Sequence, residues 1–425
     1  MNKFKLTTLS FAAIAAIAFT GCGGGGGGSS TTTTTASCDS NYIDEVLPSD
    51  ISTDTTLDAS LVYGMNGKVK VTGDSVLTIP AGTTIAGCTA SSFMVITPGS
   101  QINATGTQAK PIVFTSQTDV KGNSSANSAG EWGGLVLAGN AYTHSGVVAY
   151  EADEDVEFGS ADHTNDTESS GTLQYVVIKH SGYEVEKDKE LNGLSLAGVG
   201  SGTTIENVAI IGGLDDGLEI WGGTVNIDGL YVYNAQDDSV DTDLGYRGTI
   251  SNVLVQQVNV DSTNNHDSAG MEFGNDHNTI VTDDDNATQP TIVNYTGYIL
   301  GGGISLKYDA GVNVDNVKFV SAKTADTEQV FFRGEDTYDT NATNIDGDIC
   351  FKDTAVTLDE AGTYAASNSK DSSTTKTAYT AWAAATRDLH SVTGTIYLDD
   401  SSSCTGATES TIWKGTAGSY DALED

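Results

Sequence analysis

The sequence predicts an all-β chain, a right-handed parallel β-helix (solenoid) with N- and C-terminal caps, and three observations carry that prediction. The first is a recurring segment in which an apolar residue, a polar residue and a small or amide residue precede alternating apolar positions. Ile205-Glu206-Asn207-Val208-Ala209-Ile210 is one copy, and residues 173–178, 227–232, 250–255 and 314–319 are others. The second is their spacing: 22 residues separate Ile205 from Ile227, and 23 separate Ile227 from Ile250. The third is a second phase between them, in Gly193-Leu194-Ser195-Leu196, Gly217-Leu218-Glu219-Ile220, Ser239-Val240-Asp241-Thr242, Gly270-Met271-Glu272-Phe273 and Gly303-Ile304-Ser305-Leu306. Two short strands per repeat, joined by turn residues, make one coil of a solenoid whose neighbours bury each other's apolar edge. A right hand follows from the usual chirality of parallel crossovers.

Within each strand the period is two, so Leu218 and Ile220 point inward and Glu219 outward. A solenoid escapes the usual domain-size rule because each coil touches only its neighbours, so one long domain over residues 41–350 fits the 425-residue chain. Forty-nine glycines against five prolines favour tight-turned β structure. The net charge of −38 excludes nucleic acid and anionic lipid headgroups as partners and favours cations.

The first coil is preceded by a cap over about residues 41–60. The alternation begins at Gly67-Lys68-Val69-Lys70-Val71 and continues through residues 75–85, 110–116 and 130–137. Two acidic stretches, 150–170 and 261–290, break the spacing and read as long loops, where binding functions concentrate. Residues 351–425 read as a C-terminal cap, with a short helix over 377–387 and a strand over 393–398.

At the amino terminus, Lys3 and Lys5 precede an apolar run from Leu6 to Phe19, so residues 1–21 read as an export signal outside the fold. Phe19-Thr20-Gly21-Cys22 resembles the lipobox of bacterial lipoproteins. That resemblance implies lipidation of Cys22, a membrane partner through the lipid anchor and, with Gly23 following, location at the outer membrane, on its periplasmic or cell-surface face. Residues 22–40 form the lipidated cysteine and a Gly/Ser/Thr tether. Cys38, Cys88, Cys350 and Cys404 remain, and three pairings are open. The favoured one joins Cys38 to Cys88 and Cys350 to Cys404, each bond stapling one end of the solenoid. Their spacing does not suit a structural zinc.

Aligning coils on the second phase puts Ser195, Glu219, Asp241, Glu272 and Ser305 in one outward column, and Ala197, Trp221, Asp243, Gly274 and Lys307 two residues on. Neighbouring coils lie about 4.8 Å apart. The turns add Asp215, Asp216, Asp237, Asp238 and Asp267. Such a wall is a solvated acidic face, a cation site or a set of paired carboxylates for sugar chemistry. For calcium the ligands would be Asp215, Asp216, Asp237, Asp238, Asp241 and Asp243. For a glycan they would be Glu219, Trp221, Asp241, Arg247, Glu272 and Lys307, with Trp221 as stacking aromatic and Tyr183, Tyr233 and Tyr246 behind it.

Leu214-Asp215-Asp216-Gly217 followed by Gln236-Asp237-Asp238 is similar to consecutive motifs of polygalacturonase-type hydrolases. The similarity implies catalytic roles for Asp216, Asp237 and Asp238, with Lys307 in a substrate-binding segment. Alanine stands at 269, where that family's histidine would be. From about residue 67 to 350 the chain resembles β-helical lipoproteins of Gram-negative bacteria. The expectation is a membrane-anchored lipoprotein whose acidic, calcium-dependent wall binds a glycan or surface polymer. The alternatives are a polysaccharide hydrolase or lyase on the same wall and a structural spacer or adhesin. Oligomeric state is left open.

Overall fold

The computed structural model describes residues 37–185, 189, 191–260, 268–275, 286–307 and 310–321. It also describes the shorter stretches 328–333, 343–351, 357–358, 390–392, 396–397, 405–407 and 412–415. The expected leader, the Cys22 lipidation site, most of the tether, Asp267, the helix at 377–387 and the Cys350–Cys404 bond lie outside the described residues.

Among the described residues the chain winds into two parallel sheets of 16 and 11 strands, a right-handed parallel β-helix. Each central coil contributes one long and one short strand: Thr204–Gly213 then Leu218–Trp221, Asn226–Ala235 then Val240–Asp243, Thr249–Gln256 then Ala269–Phe273, Thr291–Ile299 then Gly302–Lys307. The inward positions stack as the period of two requires. Leu218 and Ile220 are fully buried beside Val208, Ile210, Leu230 and Val232 in one apolar column running from Leu47 to Phe319. Burying a side chain of this size contributes roughly 1.5–3 kcal/mol, so the column holds the coils together.

The amide position of the repeat has a physical cause. Asn207, Asn252, Asn294 and Asn316 have φ between 53° and 58°, and Gly229 stands in the same column at 80°. This left-handed corner bends each long strand, and glycine and asparagine tolerate it best. The asparagines also bond up the stack, Asn316 Nδ2 donating to Asn294 Oδ1 at 2.7 Å and Asn294 Nδ2 to Asn252 Oδ1 at 3.1 Å.

The described residues at both ends pair with or cover the coils. Glu45–Val46 and Asp50–Ile51 already pair with Val62–Met65 and Val69–Val71, so the segment expected as a cap is itself a first coil. Cys38 and Cys88 are disulfide-bonded beside it. At the other end, the described residues 405–407 and 412–415 lie along the flank of the long-strand sheet. Asn316 Oδ1 accepts from the Thr405 and Gly406 amides at 2.7 and 2.9 Å, while Trp413 meets the edge of Tyr175 at 5.2 Å. The cause is an apolar outer stripe of Val177, Ala209, Ile211, Tyr231 and Leu254, which this segment covers with Ala407 and Ile412.

The acidic stretch after residue 147 folds into an antiparallel hairpin, Val148–Tyr150 with Asp153–Phe158, followed by a short 3-10 turn at His163–Asn165. It lies on the outer face of the short-strand sheet, packing Tyr150, Val156 and Phe158 against Phe93, Val95, Val136 and Ala197.

Candidate functional site

The outer face of the short-strand sheet carries the site. Cα register aligns Ser195 with Glu219, Glu219 with Asp241, Asp241 with Glu272, and Glu272 with Ser305. The turns entering these strands form a second column: Asn192 precedes Gly193-Leu194 as Asp216 precedes Gly217-Leu218 and Asp238 precedes Ser239-Val240. Glycine is needed at 193 and 217 because an added Cβ would meet Ile210 and Val232 of the core at 2.5 Å.

The two columns converge. Three overlapping groups have carboxylate oxygens within 4.8 Å of one another: Asp215, Asp216 and Asp237; Asp216, Glu219 and Asp241; Asp238, Asp241 and Glu272. Asp216 belongs to the first two and Asp241 to the last two, so the strip is continuous across the coils. Asp216, Asp238 and Glu272 are buried, while Asp215, Glu219, Asp237 and Asp241 keep a partly exposed edge. Lys307 reaches in and pairs with Glu272.

Burial and mutual repulsion set the electrostatics. The Asp216 carboxyl is held well above its usual range, by burial first and then by Asp215, Asp238, Glu219 and Asp241. Glu219 is raised likewise, by burial and then Glu151, against a hydrogen bond from Asn192. Asp241 is raised by burial and Asp238, against the pull of Lys307. Asp237 is pushed up to about 9 by burial, Asp238 and Asp215. Seven acids gathered around one lysine form a site of strongly negative potential, and its hard oxygens suit a calcium-like cation with six to eight ligands.

Two of the three aspartates matched to hydrolase roles also hold the backbone. Asp216 Oδ1 accepts from the Asp238 amide at 2.8 Å, and Asp238 Oδ1 accepts from the Ala269 amide. Each cements its coil to the next. Of the three, Asp216 and Asp237 have carboxylate oxygens within 4.8 Å of each other, closer than the roughly 6.5–9.5 Å that an inverting hydrolase needs to seat a water.

Several expected residues lie elsewhere. Asp243 is outside the three carboxylate groups, and its Oδ1 takes the Leu244 amide of its own turn at 2.6 Å. Trp221, expected to offer its face to a sugar, packs under the hairpin, with ring centroids 5.4 Å from Tyr150 and 6.5 Å from Phe158. Tyr246 is buried in the core with its hydroxyl on the Val225 carbonyl, and Tyr233 lies under the carboxy-terminal segment. Arg247 Nε donates to the Ala287 carbonyl at 3.0 Å, beside a turn away from the strip. Tyr183 is half-buried, its amide on the Trp132 carbonyl at 3.3 Å.

Two participants escaped the sequence reading. Asn192 donates from Nδ2 to Glu219 Oε2; its repeat position, level with Asp216 and Asp238, is the signal that finds it. Glu151 sits at the hairpin tip, in an insertion where no repeat places it.

Curated proteins and solved structures returned no match to this chain. A family model described as a pectate-lyase-like beta helix domain matches residues 49–393, most of the chain and all of the strip. A coiled parallel architecture with that match over so much of its length identifies the chain as a member of the pectate-lyase-like β-helix family.

Proposed function

We propose that the strip is a divalent-cation site, with calcium as its ion, and that the protein is a cation-dependent binding wall for an acidic glycan or surface polymer. The observation that carries this reading is the set of three carboxylate groups within 4.8 Å, shared across successive coils. Packing so many acids together is costly unless a cation compensates them, and Lys307 supplies one positive charge. Calcium takes six to eight oxygens at about 2.3–2.6 Å, which such a strip can supply. A chain of net charge −38 repels an anionic polymer, so a bridging cation is the physical means of holding one.

Calcium titration followed by thermal melting tests the site. The expected result is a melting temperature that climbs with calcium and falls back with chelator, since a ligand at 100 times its Kd stabilises by about 2.7 kcal/mol. No rise at millimolar calcium would count against the reading. A glycan array with and without chelator tests the polymer.

A polysaccharide lyase is the second reading, favoured by the position of Lys307 against Glu272 within the strip. A bound cation would acidify the proton α to a sugar carboxylate; Lys307, once it had given up its own proton, would accept that proton while the glycosidic oxygen left from the β carbon. Cleavage of an acidic polysaccharide that Lys307→Met abolishes would move this reading to first place. A structural spacer or adhesin predicts neither calcium response nor cleavage. Export and lipid anchoring through Cys22 are part of the same proposal, supported by residues 1–22, and Cys22→Ser is expected to lose incorporation of labelled fatty acid.

A further inference from the structure

Resting on the reading of the strip as a cation site, we infer that the Asn192 carboxamide is a neutral ligand at its Glu219 end: Nδ2 holds Glu219 in place, and Oδ1 takes the ion. Asn192 joins the strip through a direct contact. Its Nδ2 donates to Glu219 Oε2, and Glu219 shares a carboxylate group with Asp216 and Asp241. Oδ1 is bonded to the same carbon as Nδ2 and lies about 2.2 Å from it. That places it within reach of an ion that Glu219 also holds, since two oxygens at about 2.3–2.6 Å from one ion stand up to ~5 Å apart.

The repeat supplies an independent observation. Asn192, Asp216 and Asp238 hold the same position in the turns that enter successive short strands. Asp216 Oδ1 accepts the amide of the next coil at Asp238, and Asp238 Oδ1 accepts the amide at Ala269. The equivalent donor for Asn192 is the Asp216 amide. Asn192 Oδ1 takes neither that amide nor any other group: the residue is 1% exposed, and the oxygen has no hydrogen-bond partner among the described residues. The hydroxyls of Ser195 and Tyr150, which close this end of the strip, face each other at 3.2 Å, and neither reaches Oδ1. A buried carbonyl oxygen left in this way requires a water or an ion beside it. Chemistry also accounts for an asparagine here. An aspartate would set one more like charge against Glu219 in the cation-free protein. A carboxamide donates to Glu219 instead, and still offers the kind of carbonyl oxygen that calcium takes alongside carboxylates.

The test uses the full chain, calcium chloride and two single variants. Asn192→Leu keeps the shape and removes both polar atoms; Asn192→Asp keeps the oxygen and removes the donor. Calcium affinity is read by titration calorimetry on protein whose fold is checked by circular dichroism, and Asn192→Ala takes the place of the leucine variant if that one does not fold. The expected result is a loss of about tenfold or more in Asn192→Leu, with calcium still bound by the acids, and an affinity in Asn192→Asp equal to the wild type's or higher. An amide that only braced Glu219 would be missed equally in both variants, because partners that orient a ligand are themselves worth about 10–100-fold in metal affinity. Equal losses would therefore overturn the inference. So would wild-type affinity in Asn192→Leu, the outcome if a water alone satisfies Oδ1. Either result leaves the strip a cation site, whereas absence of calcium binding to the wild type would overturn both readings.

Discussion

One register column of the short-strand sheet runs through Lys70, Val95, Val136, Ser195, Glu219, Asp241, Glu272 and Ser305. The backbone is the same throughout: parallel strands, outward positions, one residue per coil. In its first half, Val95 and Val136 are sealed beneath the hairpin, and the carboxylate that comes down on them, Asp153, meets two lysines. In its second half, Glu219, Asp241 and Glu272 meet further acids from the turns and a single lysine. The contrast separates what the coil fixes from what the side chains decide. The coil places residues at regular spacing on one wall; compensation of charge makes one stretch a packing surface and leaves the other strongly acidic.

The largest effect is expected where the sealed half is made to resemble the acidic half. Val136→Asp would bury an unpaired carboxylate under the hairpin and is expected to cost about 3 kcal/mol or more, read from the urea midpoint. A loss below about 1 kcal/mol would show that the hairpin does not seal the column.

Next comes the acidic half made to resemble a neutral wall. Asp241→Asn joins no new partner but removes a like charge, so the cation-free protein is expected to melt higher than wild type, and the gain on adding calcium to shrink by most of its value. A cation-free variant that melts lower, with the calcium gain intact, would place the ion elsewhere.

Acidity sharpens the comparison because the two halves titrate in opposite senses. Asp216, Glu219, Asp237 and Asp241 have folded-state pKa values raised above their unfolded ones, Asp237 to about 9. Their neutral forms stabilise the fold fully below the unfolded pKa, near 4, and that stability is lost as pH rises through the folded values. Asp153 runs the other way. Burial raises its pKa, but Lys68 and Lys70 outweigh burial and leave it lowered. Its contribution is present above the unfolded pKa and is lost as pH falls through the folded value. Chelated protein is therefore expected to lose stability between about pH 5 and 9, and calcium to flatten that slope; equal slopes with and without calcium would contradict the assignment.

The smallest effect belongs to the coil itself. Asn252→Val forces a β-branched residue into the left-handed corner at φ 56° and is expected to cost about 1–2 kcal/mol, whereas Asn252→Gly keeps the backbone relaxed and costs less. Denaturation midpoints of the two variants check this, and equal losses would show that the side-chain bonds to Asp228 and Asn294 outweigh the corner.

The repeats were readable because a solenoid writes its architecture locally. The phase of Leu218-Glu219-Ile220 against Val240-Asp241-Thr242 is enough to give their register, and the amide of the long strand marks its corner. Residues outside the repeat were not readable in this way. Trp221 looks outward by its parity, and it is outward, but the hairpin that covers it belongs to an insertion whose docking depends on packing between distant segments. Tyr246 and Arg247 follow the end of a strand, where the left-handed Leu244 breaks the alternation and turns Tyr246 into the core. Asp216 and Asp238 were legible as acids of a wall, though not as acceptors for the next coil's amides, since that role depends on the turn geometry.

The most direct test of the cation site is a crystal structure of the full chain grown with calcium and its anomalous signal. An ion is expected at the meeting of Asp216, Glu219 and Asp241, with oxygens about 2.3–2.6 Å away. Saturating calcium with ordinary water at that point, and the carboxylates left as they are, would contradict it.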